Sequence, residues 1–536
     1  MTMKLKTYQR ALLALLSVVL LSLGWLRTTG LVLLVALVPL LLISASYDSS
    51  RRSFWRMAGW TALVMGLWTI VTCWWIYYAA AVGVVAATVV QIVLFGGVFM
   101  VYHYASKRAR PVHAYTLLIC GWLWAEHFYL NAEISFPWLV LGNGFANDVW
   151  AVQWYEFTGS LGGSLWVLLV NVLAFEWLTK RTTRKALVAA GFAVVPLLCS
   201  VVVGVMWKAP EGPQATVTVV QPNIDPYTEK YTIAPLYQTR MLTSLCGEAP
   251  EDVDYIVMPE TVVGDAGDAI WEHNIFGSNS IKMLEECRSR HYPQSQIITG
   301  AMTFKRYASE AEASKTARHR GDMWFDRYNA ALALDRDSTL KVSHKSRLVV
   351  GVEKMPYMNL LKPLEKLIVD LGGTTGQLGV DKYRRHFLLR NDRFPYGVTA
   401  AAPICYESVY GEHFAGWSAD GAQLMMVITN DGWWHDTEGY RQHFSYSRLR
   451  AIESRRWVCR AANTGISGFI SPKGEVVQSL GWDQRGTLTQ KVQPLTEVTF
   501  YARYGDYIGR LGGYVYLLGL LYYVSYRFRR KNHLVD

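Results

Sequence analysis

Long apolar stretches with almost no charge fill residues 11–207 and return once near the end of the chain. A helix needs about 20 consecutive, mostly apolar residues to cross a lipid bilayer. Stretches close to that length lie at 11–26, 30–47, 57–78, 82–104, 113–130, 162–179, 187–207 and 508–526. The pattern predicts a polytopic α-helical membrane bundle with about eight spans.

The first apolar stretch also resembles a secretory signal peptide, because basic residues precede it. Further apolar stretches follow it before residue 208, so we interpret it as a retained first helix. Residues 208–507 have the mixed composition of an ordinary soluble domain. We expect an N-terminal transmembrane domain of seven helices at 1–207, a soluble domain at 208–507, and a transmembrane helix with a cytoplasmic tail at 508–536.

Basic residues between the apolar stretches indicate the orientation. Alternate loops carry Lys4, Lys6 and Arg10; Arg51, Arg52 and Arg56; Lys107, Arg108 and Arg110; Lys180, Arg181, Arg184 and Lys185; and Arg527, Arg529, Arg530 and Lys531. The intervening short loops hold only Arg27. Because Lys and Arg concentrate in cytoplasmic loops, we expect both termini inside and residues 208–507 on the outer side. The net charge of +11 is therefore a topology signal, and we expect no nucleic-acid partner.

The seven cysteines and twelve histidines do not form a metal-binding motif. Neither a CxxC nor an HExxH spacing occurs, so we expect no metal and no cofactor. Three cysteines lie in or beside apolar stretches, at Cys73, Cys120 and Cys199. An oxidising outer compartment would permit a disulfide between Cys246 and Cys287, and the pattern leaves this pairing open.

Short β-rich runs alternate with helical patterns in the soluble domain. Strands are predicted at 215–224, 253–261, 296–304, 328–335, 396–407 and 422–431, with two more inside 458–477. Helices are predicted near 231–246, 278–291, 407–418 and 440–454. Alternation of this kind predicts an α/β domain whose sheets are covered by helices. The polar segment 305–322 lacks apolar periodicity and is predicted to be a surface excursion.

Three reactive side chains stand near predicted strand ends: Glu260 in "VMPET", Lys345 after a further short strand in "KVSHKSR", and Cys405 in "APICYE". Taken singly, they are ordinary: a carboxylate at a helix start, a solvated lysine and a small buried thiol. Together they meet the needs of covalent acyl transfer. A thiol nucleophile needs a base for its proton, and the tetrahedral oxyanion needs a cation or an N–H donor. We therefore favour the catalytic interpretation.

The motifs that carry a family resemblance are "VQPNI", "PET", Lys345 with Glu353 eight residues later, "ICYE", "TNDGWW" and "RAANTGISG". In this order they resemble the carbon–nitrogen hydrolase (nitrilase) superfamily. With the apolar stretches added, the chain resembles the membrane-bound acyltransferases of that superfamily. The resemblance implies an extracytoplasmic α/β nitrilase-like αββα sandwich that carries a Glu-Lys-Cys triad.

The resemblance also implies roles for single residues. The triad comprises Glu260 as the general base, Lys345 as the oxyanion-stabilising cation and Cys405 as the nucleophile. Supporting roles fall to Glu353, which orients the lysine or shares its proton, to the backbone N–H of Tyr406 in the oxyanion hole, and to Glu407, which either assists catalysis or holds backbone N–H groups. Three aromatic residues are candidate acyl or lid contacts: Trp433, Trp434 and Tyr231. For Trp434, plain packing is an equal alternative.

Two departures from the family pattern concern loops near the site. Tyr231 stands nearest the place where the family usually has a Trp. The family's common "LVPFGE" is Leu348–Glu353 here, with the sequence "LVVGVE". The missing Pro and Phe leave the shape of that loop undetermined, although the acidic residue is kept.

The resemblance implies a ping-pong reaction with two membrane substrates. Cys405 takes an acyl chain from a phospholipid and passes it to the α-amine of a diacylglyceryl-modified apolipoprotein. The implied location is the bacterial inner membrane, with the catalytic domain on the periplasmic side, and we expect a monomer. Two alternatives remain: a membrane-anchored amidohydrolase that uses water as acceptor, and a non-catalytic lipoprotein-binding module.

Ionisable residues inside a predicted span are a further feature. Glu126 and His127 fall in or near the stretch 113–130, where charged groups are costly and usually face protein. The pattern leaves open whether they have a structural role or bind a lipid headgroup.

Overall fold

The computed structural model describes residues 4–265, 269–337, 339–357 and 377–531. The predicted cytoplasmic tail lies outside these ranges from residue 532 onward. The chain forms two compact units, a helical unit with residues up to Tyr77, Val82–Trp207 and those from Tyr504 onward, and a second unit with Tyr78–Ala81 and Lys208–Arg503. The predicted three-part division of the chain stays a prediction.

The helical unit contains helices at most of the apolar stretches. They are α1 (Thr7–Leu23), α2 (Val38–Ala45), α3 (Arg51–Cys73), the short α4 (Ile76–Ala79), α5 (Ala81–Ser106), α6 (Pro111–Asn131), α7 (Tyr155–Lys180), α8 (Thr183–Met206) and, after the second unit, α14 (Tyr507–Lys531). Short 3-10 turns lie at Gly30–Val35, Leu141–Phe145 and Val149–Ala151. Of the described helices, α5, α7 and α8 are long and apolar enough to cross a membrane by length and composition.

The predicted span at 30–47 is not one continuous helix. A 3-10 turn at Gly30–Val35 precedes α2, and Pro39 lies in the first turn of α2. Proline has no backbone N–H, so it suits a helix start and interrupts a helix interior. Periodicity found the apolar segment but missed its break.

Buried polar side chains in the helical unit satisfy irregular backbone. Glu126 is 1% exposed, and its Oε1 accepts hydrogen bonds from Leu141 N at 2.8 Å and Trp122 Nε1 at 3.2 Å. Asn171 Oδ1 accepts from Leu37 N at 2.7 Å. A buried N–H without a partner is costly, so both side chains stabilise breaks between helices. For Glu126 these contacts favour the structural alternative.

The second unit contains the strands. They are β1 (Ala215–Gln221), β2 (Tyr255–Val257), β3 (Ala269–Trp271), β4 (Gln296–Tyr307), β5 (Arg318–Arg320), β6 (Met323–Leu334), β7 (Leu340–His344), β8 (Phe387–Leu389), β9 (Val398–Ala401), β10 (Leu424–Thr429), β11 (Val458–Ala462), β12 (Ser467–Ile470), β13 (Val476–Leu480) and β14 (Gly486–Val492). Its helices are α9 (Pro235–Cys246), α10 (Asn279–His291), α11 (Gly411–Ala419) and α12 (Glu438–Ser454), and α13 (Phe500–Tyr504) stands at its end.

Two sheets form the middle of this unit. The described strands run in the order β14-β1-β2-β4-β6-β5 in the first sheet, with β3 on β4 and β7 on β6, and β13-β12-β11-β10-β9-β8 in the second. The neighbours β1, β2 and β4 are parallel, as are β9, β10 and β11. Parallel strands bring their carboxyl ends to one edge, which is where ligand sites form in α/β folds.

Helices cover the outer face of each sheet. Leu242 of α9 and Leu284 of α10 pack with Ile256 and Ile297 of the first sheet. Phe414 of α11 packs with Met425 of the second sheet. The resulting layer order is helix, sheet, sheet, helix, which is the sandwich that the family resemblance implies. The free thiols Cys246 and Cys287 also lie in the first of these cores.

The segment 305–322 is only partly the irregular excursion that its composition predicted. β4 continues to Tyr307, β5 occupies Arg318–Arg320, and β6 begins at Met323, so the segment extends a β-hairpin. The side chains of β5 are exposed. The backbone hydrogen bonds between β4 and β6 continue beyond the buried core, to Tyr307 and Trp324. The side chains there are no longer fully buried, so the sequence lacks the apolar pattern of a strand.

Candidate active site

Cys405 lies on a sharp turn after β9. Ile404 bridges to Ile428 of β10, and the chain then enters a 3-10 turn at Cys405–Val409. Cys405 adopts the left-handed conformation with φ +50°, and it is 7% exposed. A residue with a side chain pays a strain cost in this conformation, which is typical of nucleophile turns between a strand and a helix. Ser408 Oγ donates to Cys405 O at 2.6 Å and fastens the turn.

Glu260 follows β2 and is buried, at 5% exposure. Its Oε1 accepts from Lys345 Nζ at 3.2 Å, and its Oε2 accepts from the backbone N–H of Asn430 at 3.0 Å. Gly300 of β4 makes room for this backbone, since a Cβ there would lie 2.6 Å from the Glu260 Cα. The two sheets together therefore hold the carboxylate.

Lys345 is the first residue after β7, and it is 1% exposed. Its Nζ donates to Glu353 Oε1 at 2.9 Å as well as to Glu260. Glu353 Oε2 accepts from Val349 N at 2.8 Å, which closes the loop between the two residues. The ammonium group is thus held between two carboxylates.

Sequence reasoning missed Asn329, which ties these groups together. Its Nδ2 donates to Glu260 Oε1 at 2.7 Å and to Glu353 Oε1 at 3.1 Å, and its backbone O accepts from Lys345 N at 2.8 Å. An isolated amide within the apolar run "YNAALAL" was the available signal. We call Glu260, Asn329, Lys345 and Glu353 the lysine cluster.

The lysine cluster sets the protonation states beside the sulfur. Burial opposes the charge of Lys345, but the carboxylates of Glu260 and Glu353 outweigh it and raise the Lys345 pKa. Burial raises the pKa of the Cys405 thiol, the Glu260 charge raises it further, and Lys345 opposes them. At neutral pH the resting site therefore holds a neutral thiol beside an ammonium group.

Glu407 connects the nucleophile turn with the lysine loop. Its Oε1 accepts from Ile404 N at 2.8 Å, and its Oε2 accepts from Ser346 N at 3.0 Å. Burial would raise the pKa of Glu407, but His413 and these N–H donors outweigh it and lower that pKa. Glu407 therefore holds backbone N–H groups. The adjacent Tyr406 is 5% exposed, and its ring lies edge-on to Tyr410 at 5.5 Å.

A second set of buried ionisable side chains contacts the nucleophile turn. Asp431 Oδ2 accepts from Arg460 Nη2 at 2.7 Å, and Asp431 Oδ1 lies 2.8 Å from His443 Nδ1. His443 Nε2 lies 3.2 Å from Cys405 O. We call Asp431, His443 and Arg460 the histidine cluster. Its signal in the sequence was a charged residue inside the apolar strand "VCRAA".

The electrostatics of the histidine cluster favour an ionised acid and a neutral imidazole. Burial would raise the Asp431 pKa, but Arg460 and His443 outweigh it and lower that pKa to about 2. Burial and Arg460 lower the pKa of His443.

Cys405, Asp431 and His443 also bring three possible metal-ligand atoms within 4.8 Å of one another. However, both Asp431 oxygens are already hydrogen-bonded, one of them to the Arg460 guanidinium, which would repel a cation. The donor set therefore fits an internal ion pair better than a metal.

A cavity of about 320 Å³ opens beside the lysine cluster. Its lining includes Glu260, Glu353, Trp433 and Tyr231, and does not include Cys405. Trp433 is half-buried and packs edge-on against Tyr227 at 5.5 Å, while Tyr231 is exposed.

Trp434 differs from the other two aromatic candidates. It is 8% exposed, lies 5.5 Å from the ring of His443, and is not among the lining residues. These contacts favour the packing alternative for Trp434, and its role stays a prediction. Neighbouring positions on a 3-10 turn point in different directions, and sequence alone did not show which one faced the cavity.

Comparisons with known proteins agree with this architecture. The sequence model of the carbon-nitrogen hydrolase family matches residues 216–499, and that of the apolipoprotein N-acyltransferase N-terminal domain matches residues 11–173. An apolipoprotein N-acyltransferase of Chlorobaculum tepidum is 29% identical over 88% of each chain. One of Gloeobacter violaceus is 28% identical over 93% of this chain and 90% of the relative.

Among solved structures, Saccharomyces cerevisiae Nit3, a member of branch 10 of the nitrilase superfamily, is 12% identical. The match covers 55% of this chain and 96% of that chain, with a TM-score of 0.38. The family match over residues 216–499 takes in more than half of the sequence. The side chains of the candidate site all fall inside it: Glu260, Lys345, Glu353 and Cys405. The chain belongs to the carbon-nitrogen hydrolase family.

Proposed function

We propose that this protein transfers an acyl chain from a phospholipid to the α-amine of the N-terminal diacylglyceryl-cysteine of apolipoproteins. The observation that carries the proposal is the buried ion pair of Glu260 with Lys345, whose charges both act on the Cys405 thiol. The relatives named apolipoprotein N-acyltransferase, and the match to their N-terminal domain, support the substrate assignment.

In the first half-reaction, the Cys405 sulfur attacks the ester carbonyl carbon of the phospholipid. Glu260 takes the thiol proton as the C–S bond forms, and Lys345 stabilises the oxyanion together with the backbone N–H of Tyr406. The C–O bond then breaks, and the leaving alkoxide receives the proton from Glu260. A lysophospholipid departs and a thioester remains on Cys405.

In the second half-reaction, the neutral α-amine of the acceptor attacks the thioester carbonyl. Glu260 accepts the amine proton as the C–N bond forms, and the C–S bond breaks to return the Cys405 thiolate, which regains that proton. The net conversion of an ester into an amide is downhill, and the final aminolysis of the thioester drives it, so the reaction needs no nucleotide. Glu353 and Asn329 keep Lys345 aimed at the oxyanion in both steps.

We also propose that all eight apolar segments cross the bacterial inner membrane, with the catalytic unit on the periplasmic side and the protein acting as a monomer. The alternating basic loops support this orientation. Both substrates are lipids, and moving an acyl chain into water costs about 0.8 kcal/mol per methylene. Apolar helices that precede and follow the catalytic unit in the sequence would spare the substrates this cost.

The main competitor is an amidohydrolase that uses the same triad with water as acceptor. Incubation of the purified full-length protein with acyl-labelled phospholipid separates the two. We expect a hydroxylamine-labile label on the protein that passes to a diacylglyceryl-cysteine peptide. Label released only as free fatty acid would favour the hydrolase, and no label on the protein would contradict both. Cys405→Ala should abolish labelling, and the matched variant Cys287→Ala should keep it.

A further inference from the structure

The cavity beside the lysine cluster is lined by three cationic side chains, Lys230, Arg318 and Arg327. Its two described carboxylates, Glu260 and Glu353, are both engaged by Lys345. Lys230 Nζ donates to Thr261 Oγ1. The two arginines therefore contribute positive charge that the acids of the cavity do not neutralise.

Strand register places the two arginines on one face of the β5–β6 hairpin. Arg318 pairs directly with Phe325, and Arg327 follows Phe325 by two residues on β6. Side chains two residues apart on a strand share a face, and diagonal neighbours across a pair lie about 7–8 Å apart. Asn329 is two residues further along the same face, so the arginines continue the row that ends in the lysine cluster.

The guanidinium groups lack partners among the described residues. Neither Arg318 nor Arg327 has an ion pair with a described carboxylate, and the Nε of Arg327 is buried without a described hydrogen-bond acceptor. An unsatisfied buried donor is costly, and two like charges this close repel each other. A ligand with several anionic oxygens would satisfy both groups, since guanidinium matches phosphate in a bidentate geometry.

The same face offers an apolar surface beside the arginines. Trp271 of β3 lies opposite Phe304 of β4, and Phe304 lies opposite Arg327 of β6. The two aromatic rings and Arg327 therefore share one face of the sheet. The ring centroids of Trp271 and Phe304 are 4.9 Å apart, and those of Phe304 and Phe325 are 5.5 Å apart. All three rings are half-buried. An anion-binding site beside half-buried aromatic surface suits an amphipathic phosphodiester better than free phosphate.

We propose that Arg318 and Arg327 bind the phosphodiester of the acyl donor and so place its ester carbonyl at the lysine cluster. This assignment rests on the proposed function, because it takes the donor to be a phospholipid. It makes both arginines specificity-determining residues, and it gives the hairpin extension a role in donor binding.

Binding can be measured without turnover in the full-length Cys405→Ala protein. The probe is a dialkyl ether phosphatidylglycerol in neutral detergent micelles, and the dialkylglycerol with the same chains is its neutral counterpart. Adding Arg318→Ala and Arg327→Ala should weaken phosphatidylglycerol binding about tenfold or more, while dialkylglycerol binding changes less than about twofold. Arg320→Ala is the matched control, since Arg320 lies on the same strand and is exposed like Arg318 but is not among the lining residues.

Equal weakening for both lipids, or no weakening for either, would overturn the phosphodiester assignment. So would inorganic phosphate that binds the arginine-dependent site while the lipid does not, because the site would then hold a soluble anion. In the enzyme that keeps Cys405, Arg318→Ala with Arg327→Ala should raise KM for phospholipid about tenfold and leave kcat within about twofold. If the unaltered enzyme forms no acyl-thioester, the proposed function fails, and the binding measurement still decides the anion site.

Discussion

The lysine cluster and the histidine cluster are both buried ionic groups beside Cys405, but their surroundings differ. Glu260 and Glu353 of the lysine cluster line an open cavity, and two carboxylates there share a single ammonium group. In the histidine cluster Asp431, His443 and Arg460 are each 0% exposed. One acid there faces one guanidinium, and the imidazole contacts the nucleophile turn.

This difference suggests separate tasks for the two clusters. Charges that face a cavity are available to a substrate. Because two carboxylates there share one ammonium group, one of them can accept a proton. Charges that are paired and sealed are fixed in place, and removing one of them leaves the other uncompensated. We therefore expect changes in the lysine cluster to affect turnover and changes in the histidine cluster to affect stability. Four experiments test this contrast.

The largest expected effect is on turnover in Glu260→Gln. The amide keeps the shape of the side chain but cannot take the thiol proton, so the rate of acyl-enzyme formation should fall about 10²- to 10⁴-fold. The midpoint of thermal unfolding should change little. Acyl-labelled phospholipid measures the rate, and a thermal shift of the full-length protein measures the stability. Near-normal labelling would remove Glu260 from the role of base.

In the histidine cluster the corresponding change is Arg460→Met. Breaking a buried ion pair from one side costs about 3–5 kcal/mol, so the unfolding midpoint should fall strongly. Asp431→Asn added to Arg460→Met removes the uncompensated charge and should recover part of the loss. A double variant less stable than Arg460→Met would show that the pair is not the source of the stability.

Glu353→Gln should have an intermediate effect on turnover. The substitution removes one of the two carboxylates that contact the Lys345 ammonium group. It also weakens a charge-assisted hydrogen bond of about 1.5–3 kcal/mol. We expect acyl-enzyme formation to slow about 10- to 100-fold, less than in Glu260→Gln. Glu412→Gln, which alters an acid outside both clusters, is the control. Equal losses in Glu260→Gln and Glu353→Gln would mean that the acids act as one unit.

Sequence patterns predicted much of the fold and part of the site. Apolar length located the helices, and strand periodicity located β1, β4, β10 and β11, because both patterns record burial directly. The segment 30–47 and the hairpin at 305–322 departed from prediction, since a proline break and a ladder outside the core leave little trace in hydropathy. The number of helices that cross the membrane stays a prediction.

Within the site, the residues predicted from the motifs were those with reactive groups at strand ends. Asn329 and His443 were missed because their importance lies in what they touch, and contacts between distant strands cannot be read from local spacing. A polar residue inside an apolar strand is still a usable signal. Asn329 and Arg460 both carry it, and both have hydrogen-bond partners from other strands or loops.

The smallest expected effect concerns acid stability. The folded Asp431 pKa of about 2 is below the unfolded value of about 4, so its ionisation stabilises the protein above about pH 4, and this contribution is lost as pH falls toward 2. In Asp431→Asn, the slope of unfolding free energy against pH should decrease in this window by at most about 1.4 kcal/mol per pH unit. The control Asp392→Asn alters a side chain that is 87% exposed and should keep the original slope. Because the acids of the lysine cluster are unchanged in both variants, an unaltered slope in Asp431→Asn would place the acid-sensitive charge outside the histidine cluster.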